Sequence, residues 1–176
     1  MKKLNKNNKG FSLVELLVVI AIMVVLVGVI APTLLNNIEK SREAKDIQFL
    51  DSVASAVQSA IAADENAYTE IAAMTTPEEL SELYKTGDGD TYKNTGKIIK
   101  DFLDPSAASV SSLSGTRVTK TGANADKIMV SYSNGHVIVY VETATPANVT
   151  DTASPVDLKT LKVLKGKRGT DYYVSR

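Results

Sequence analysis

From Leu16 to Ile38 the chain carries no charged residue, and the stretch Leu16 to Leu35 holds 14 Leu, Ile or Val residues in 20. A helix of that composition is apolar on every side, which suits lipid better than the surface of a small soluble domain. About 20 apolar residues is also the length that crosses a bilayer. Further on the pattern becomes one-sided. Ile47, Leu50, Val53, Ala54, Val57, Ala60 and Ile61 recur at intervals of three and four, which predicts a helix with one buried face. The stretch Glu39 to Lys45 reads as mixed charge and solvated. A helix continuous from Phe11 to about Ala62 would be roughly 78 Å long at ~1.5 Å per residue. Pro32 donates no backbone N–H and crowds the carbonyl of Gly28, itself a weak helix former, so Gly28 and Pro32 mark a weak point.

The remaining chain predicts short elements. In TTPEELSELYKTG, Thr76 is placed to cap a helix, Pro77 suits its first position, Glu79 completes a capping box and Gly87 stops it. NTGKIIKDFLDP predicts a second helix ending before Pro105, with Ile98, Ile99, Phe102 and Leu103 towards a core. The period then changes. KIMVSYSNGHVIVYVET is a hairpin around Asn134-Gly135, the pair that a type I′ turn prefers. Ile128, Val130, Tyr132, Val137, Val139 and Val141 fall on one face, and Ser131, Ser133 and His136 on the other. Weaker strands are expected at Val110 to Lys120 and Asp171 to Ser175. SPVDLKTLKVLKG reads as a helix with a strand as the alternative, and TATPANVTDTASP as a loop. The expected fold class is α+β: a long N-terminal helix whose amphipathic half, residues 36–62, covers a small antiparallel sheet.

The formal charge of zero hides an asymmetry. The leader MKKLNKNNKG has four lysines and no acid, residues 46–90 have ten acids against Lys85, and residues 159–176 have six bases against Asp171. There is no cysteine, so the domain is held by its core alone. Three readings compete for the N-terminus. A cleaved secretory signal would need a shorter apolar run, and its best small-residue site, Val29-Ile30-Ala31, is followed by Pro32. A plain signal anchor, with the lysines cytoplasmic and the C-terminal domain outside, fits the charges but leaves Glu15 unexplained. Leu, Ile and Val each favour insertion by about 0.3–0.6 kcal/mol, and an acid at mid-helix costs about 2.5–3.5 kcal/mol. Insertion therefore tolerates Glu15, which reads either as a glutamate snorkelling to the interface or as a functional site with a partner to be named.

The third reading comes from K-G-F-S-L-V-E-L-L. A short basic leader ending in Gly10, then Phe11, then Glu15 and a long apolar helix, resembles the type IV prepilin signature. The resemblance is specific over residues 9–35 and is one of architecture beyond. It implies a leader, 1–10, removed by a prepilin peptidase that cuts after Gly10 and methylates the amine of Phe11. It further implies a transmembrane and assembly helix, 11–35, and an extracellular globular domain, 36–176. Cleavage creates an ammonium on Phe11. Such a group of a neighbouring subunit would neutralise Glu15 and set the register between helices. Gly28 and Pro32 become a segment able to loosen in the filament. The implied partners are copies of the chain, the peptidase, a membrane platform protein and an assembly ATPase. The implied location is the cytoplasmic membrane, single pass with the N-terminus inside, and then a surface pilus serving adhesion, surface motility or biofilm formation. The lack of cysteine resembles clostridial major pilins. A type II secretion pseudopilin shares the same N-terminus, and a membrane-anchored binding domain remains the rival from another class.

Other constellations carry less. His136, the one histidine, flanks a turn and reads as solvated. Asp88 and Asp90 in TGDGDTY lack the spacing of a calcium loop, so an ordinary turn is expected. No hydrolase pattern, phosphate loop or zinc set is recognisable, so neither enzymatic activity nor a cofactor is expected. Lys159, Lys162, Lys165, Lys167 and Arg168 form a basic cluster, read either as a solvated face or as a contact for the acidic region 46–90 of a neighbour. Too few aromatics accompany it for nucleic acid to be expected.

Overall fold

The computed structural model describes residues 11–103, 110–115, 117–118, 126–143, 163–165 and 171–176. It divides into two compact units, Met1–Ile38 and Glu39–Arg176. Helix α1, Leu13–Ala63, supplies the described structure of the first unit and continues into the second. After it come α2 (Glu65–Ala72), β1 (Glu78–Glu79), α3 (Leu80–Leu83), α4 (Lys93–Phe102), a 3-10 turn at Val110–Ser112, β2 (Lys127–Ser133), β3 (His136–Glu142) and β4 (Tyr173–Ser175). The sheet is antiparallel, in the order β1-β2-β3-β4. The expected α+β class, a long N-terminal helix with a small antiparallel sheet, is what the chain forms.

In the first unit α1 is apolar on all sides and none of its apolar window is buried. By length and composition it suffices to cross a membrane.

The second unit has the core. Leu50, Val53, Ala54, Val57 and Ala60 of α1 share one buried cluster with Ile71, Leu80, Leu83, Ile99, Ile128, Val130, Val137, Val139, Val141 and Tyr172. A Leu, Ile or Val buried this fully contributes about 1.5–3 kcal/mol relative to exposure. The hairpin pairs Ser133 with His136 across Asn134 and Gly135, whose φ values of 52° and 83° are the left-handed conformations that a type I′ turn requires. One hairpin face is buried as expected. The other, expected to be more polar, also buries Ser131, Ile138 and Tyr140. The alternation of Met129, Ile138 and Tyr140 makes that face apolar despite its serines.

Several expectations are corrected. The helix expected from Thr76 to Thr86 is reduced to Leu80–Leu83, and Glu79 makes no side-chain cap. Glu78 and Glu79 instead pair with Val130 and Met129. The outer edge of β2 needs backbone partners, and this pairing outweighs one turn of helix with a good cap. Residues Val110–Ser112 form a 3-10 turn, not a strand. Phe102 is 60% exposed although α4 itself forms as expected. The end of the segment expected as a helix from Ser154 pairs in extended form, Val163 with Glu142 and Lys165 with Asp171. The loop expected from Thr143 to Pro155, apart from Thr143 itself, and most of the basic cluster lie outside the described residues.

The largest correction concerns the charged stretch of α1. Glu39 and Glu43 are buried, not solvated, and Asp46, the residue after the stretch, is buried with them. Their spacing of four and three continues into Leu50, so they occupy the face that holds the apolar stripe. Asp46 Oδ1 accepts hydrogen bonds from the Ser114 N–H (2.7 Å) and hydroxyl (3.0 Å). Its Oδ2 accepts from the Gly115 N–H (2.7 Å) and the Tyr172 hydroxyl (3.1 Å). A Cβ at position 115 would run into that hydroxyl and lie 2.9 Å from Asp46 Oδ2, so only glycine lets the backbone approach. The Tyr172 phenol is held far above its ordinary range, first by burial, then by the charge and hydrogen bond of Asp46 and the charges of Glu43 and Glu39.

Candidate functional site

The described chain opens at Phe11, which is 92% exposed. Gly10 and the rest of the basic leader lie outside the described residues. The first helical hydrogen bond runs from the Leu16 N–H to the Ser12 carbonyl at 3.2 Å. This leaves the amide of Ser12 outside the helical ladder, as at any helix start. Glu15 supplies its partner: Oε2 accepts the Ser12 N–H at 2.8 Å. Ser12-Leu13-Val14-Glu15 is thus half of a capping box, with the acid reaching back over the first turn. The sequence reading assigned Glu15 an intermolecular partner and overlooked Ser12. The signal was present, since Ser, two residues, then Glu before an apolar run is a helix-start pattern.

This arrangement has chemical consequences. A carboxylate at a helix N-terminus complements the partial positive charge there. It has two oxygens and room for about four acceptor sites, so one local bond leaves most of its capacity open. Cleavage of the Gly10–Phe11 bond would add an ammonium one residue before Ser12, at the same end of the helix. Phe11, Ser12 and Glu15 are all exposed, so this capacity faces outwards.

The other predicted positions are placed as follows. Gly28 is exposed, and an added Cβ there would meet nothing within 4 Å. Pro32 is exposed inside α1, and the helix runs through it without a break in its range. His136 is exposed at the start of β3. Asp88 and Asp90 point to different tasks: Asp88 pairs with Lys93, and Asp90 Oδ2 accepts the Gly87 N–H at 2.6 Å. Among the described residues no three His, Asp or Glu side chains come together as metal ligands.

With that geometry in hand, comparison with known proteins is informative at one end of the chain. Residues 5–31 match the model of the prokaryotic N-terminal methylation motif. The matched segment contains Gly10, Phe11, Glu15 and Gly28 and stops one residue before Pro32. No curated protein and no solved structure matches the chain. The match supports a pilin-like precursor over that segment, pilin and pseudopilin alike.

Proposed function

We propose that this chain is the precursor of a type IV pilin, a structural subunit without enzymatic activity that polymerises through its N-terminal helix into an extracellular filament. The observation that carries the proposal is the methylation motif at residues 5–31, joined to an apolar helix whose window is nowhere buried. Before assembly the helix rests in the cytoplasmic membrane with the leader inside. Prepilin peptidase removes residues 1–10 and methylates Phe11. A platform protein and an ATPase then drive subunits into the fibre, with residues 11–35 in its core and 36–176 outside. Glu15 holds its own Ser12 N–H and offers its remaining oxygen to the ammonium of a neighbour, which sets register. Gly28 and Pro32 let the helix loosen as it leaves lipid. Adhesion, surface motility and biofilm formation are the uses such a fibre serves, and a clostridial origin rests on the lack of cysteine alone.

The test is a Glu15 series in cells that assemble the chain. Glu15→Ala should leave insertion intact, since loss of the acid eases it by up to ~3 kcal/mol. Processing should persist because the Gly10–Phe11 bond is untouched. Sheared filament yield, measured against processed subunit, should collapse in Glu15→Ala and Glu15→Gln and fall partially in Glu15→Asp. Wild-type yield from Glu15→Gln would refute the charge pairing. Methyl-Phe11 at the N-terminus of surface protein is expected, and Met1 there would instead identify a membrane-anchored domain.

The second reading, a type II secretion pseudopilin, is favoured equally by the motif. Filament length after overexpression separates them: long surface fibres for a pilin, short ones for a pseudopilin.

A further inference from the structure

Asn134-Gly135 is the one Asn-Gly pair in the chain. It forms the tip of the β2–β3 hairpin, closed by the pairing of Ser133 with His136. Asn134, Gly135 and His136 are all exposed. Neither the Asn134 side chain nor the Gly135 N–H makes a hydrogen bond among the described residues. The space around Gly135 is open, since an added Cβ would meet nothing within 4 Å.

These features favour one reaction. The backbone nitrogen after an asparagine can close a five-membered ring onto the side-chain carbon Cγ. The Gly135 N–H gives its proton to a base in the solvent, and the nitrogen attacks Asn134 Cγ. The N–Cγ bond forms, the Cγ–Nδ2 bond breaks, and the amide leaves as ammonia after taking a proton back. A succinimide remains. Water then opens the ring at either carbonyl. Breaking the new N–Cγ bond gives aspartate in an unchanged main chain. Breaking the original peptide bond gives isoaspartate, with the main chain routed through Cγ. Water is consumed, ammonia is released, and no oxidant, metal or second protein takes part.

The other described asparagines are held differently. The Ala67 N–H that follows Asn66 donates to Asp64 Oδ1 at 2.8 Å. The Thr95 N–H that follows Asn94 donates to Glu70 Oε2 at 2.8 Å, and Asn94 Nδ2 donates to Glu70 Oε1 at 2.8 Å. Asn36 and Asn37 lie inside α1, where the following amides belong to the helical ladder. Each of these residues is also followed by one with a Cβ, which crowds the attacking nitrogen. One feature opposes the reaction at Asn134. The left-handed turn, with φ of 52° and 83°, fixes the peptide between the two residues, so the side chain reaches the nitrogen only when the tip opens. Opening an exposed tip is far easier than opening the sheet behind it.

We propose that Asn134 is a self-modification site, converted through a succinimide to aspartate and isoaspartate at a rate set by local opening of the hairpin tip. The two products differ in consequence. Asp-Gly suits the same type I′ turn, so the hairpin survives with one more negative charge at its tip. Isoaspartate adds a main-chain carbon to a two-residue loop whose length fixes the strand register, so the tip loosens. The converted fraction grows with the age of a folded chain, whether or not that chain assembles.

The test incubates the detergent-solubilised full chain at physiological temperature and mildly alkaline pH in water enriched in heavy oxygen. Mass spectrometry with fragmentation that distinguishes isoaspartate from aspartate then reads each asparagine. Label uptake at Asn134 with both products is expected, about tenfold slower than in the same chain unfolded in guanidinium chloride, the scale of opening an exposed turn. Asn66 and Asn94 of the folded chain should convert more slowly again by about tenfold or more, because their neighbouring amides are engaged. Gly135→Ala is a poor control, since φ of 83° strains any residue with a Cβ. Asn134→Asp fixes one product and should keep the wild-type Tm, whereas the isoaspartate fraction should exchange the amide hydrogens of Ser133 and His136 faster. No conversion at Asn134 in the folded chain while the unfolded chain converts would show that the turn seals the site. Aspartate without isoaspartate would remove the succinimide route, and equal conversion at Asn66 would remove the role of the turn.

Discussion

Glu15 and Asp46 are carboxylates of the same helix, one in each unit of the chain. Asp46 is buried and accepts four hydrogen bonds from Ser114, Gly115 and Tyr172. Glu15 is exposed and accepts one, from Ser12 three residues away. A buried charge is tolerable when its lone pairs are filled, and Asp46 is filled by its own chain. Its acid therefore belongs to folding. Glu15 sits in a stretch with no core to join, and its one bond is local. Its unfilled capacity is available to another molecule. Two acids of one helix, Glu15 in its first turn and Asp46 in its interior, are thus separated by where their partners come from.

The sharpest way to break this comparison is to substitute Asp46. Asp46→Asn keeps the shape but turns an amide N–H₂ towards donors, so a cost of about 3 kcal/mol is expected. That corresponds to a Tm lowered by about 6–12 °C for a unit of this size. Thermal unfolding of the detergent-solubilised full chain reads it. An unchanged Tm would mean that the four bonds contribute nothing net. Gly115→Ala attacks the same cluster from the other side. Its methyl group must displace the Tyr172 hydroxyl from Asp46, with an expected loss of about 2 kcal/mol. Because both variants break one cluster, the double variant should lose clearly less than the sum.

The cluster also marks how far the sequence can be read. The hairpin, α4 and the buried stripe of α1 were legible because their signals are local: a two-residue turn, a helical period, a residue pair that prefers positive φ. Asp46 was not, since its partners lie 68 to 126 residues further on. Charge alone put Glu39 and Glu43 in solvent, although with Asp46 their spacing extends the apolar stripe. Glu78 and Glu79 were assigned to a helix because Thr76 and Pro77 fit a cap, and the competing need of the β2 edge was not visible. At the N-terminus Gly10, Phe11 and Glu15 are singled out by a motif, and the Ser12 bond goes unnoticed although it spans only three residues.

Glu70 tests the middle ground. It lies at intermediate exposure and accepts bonds from the Asn94 and Thr95 amides and side chains, which capture the start of α4 for α2. Glu70→Gln should cost about 1–2 kcal/mol, more than a solvent-exposed acid and less than Asp46. A loss equal to that of Asp46→Asn would show that burial is not what separates them. Asp51 comes lower still. Its carboxylate meets Arg176 through two bonds of 2.7 and 2.6 Å, but the pair is solvent-exposed. The Arg176 hydrogen bond holds the Asp51 pKa below its ordinary 3.8, against an opposing effect of burial and with a lesser contribution from the Arg176 charge. A folded pKa below the unfolded one means stability that is present above about pH 4 and lost as pH falls through the folded value. Screening keeps it small. Between pH 5 and 3 the Tm of Arg176→Met should therefore fall less steeply than that of the wild type, and parallel curves would remove the pair from the account.

The smallest effect on folding is expected from Glu15→Gln. The substitution keeps an oxygen that can still reach the Ser12 N–H, so the first turn should lose about 0.5 kcal/mol or less. Faster hydrogen exchange at Ser12 and Leu16 in micelles is the local readout. The cooperative unfolding of the second unit should not move, because none of its core residues belongs to the first turn of α1. A Tm shift as large as that of Glu70→Gln would reveal a fixed partner for Glu15 within the folded subunit. Its acid would then belong to folding, as that of Asp46 does, and its capacity would no longer be open to a neighbour. An unmoved Tm together with lost filaments would separate the two roles cleanly: a carboxylate of one helix needed by the fold at position 46, and another needed by the polymer at position 15.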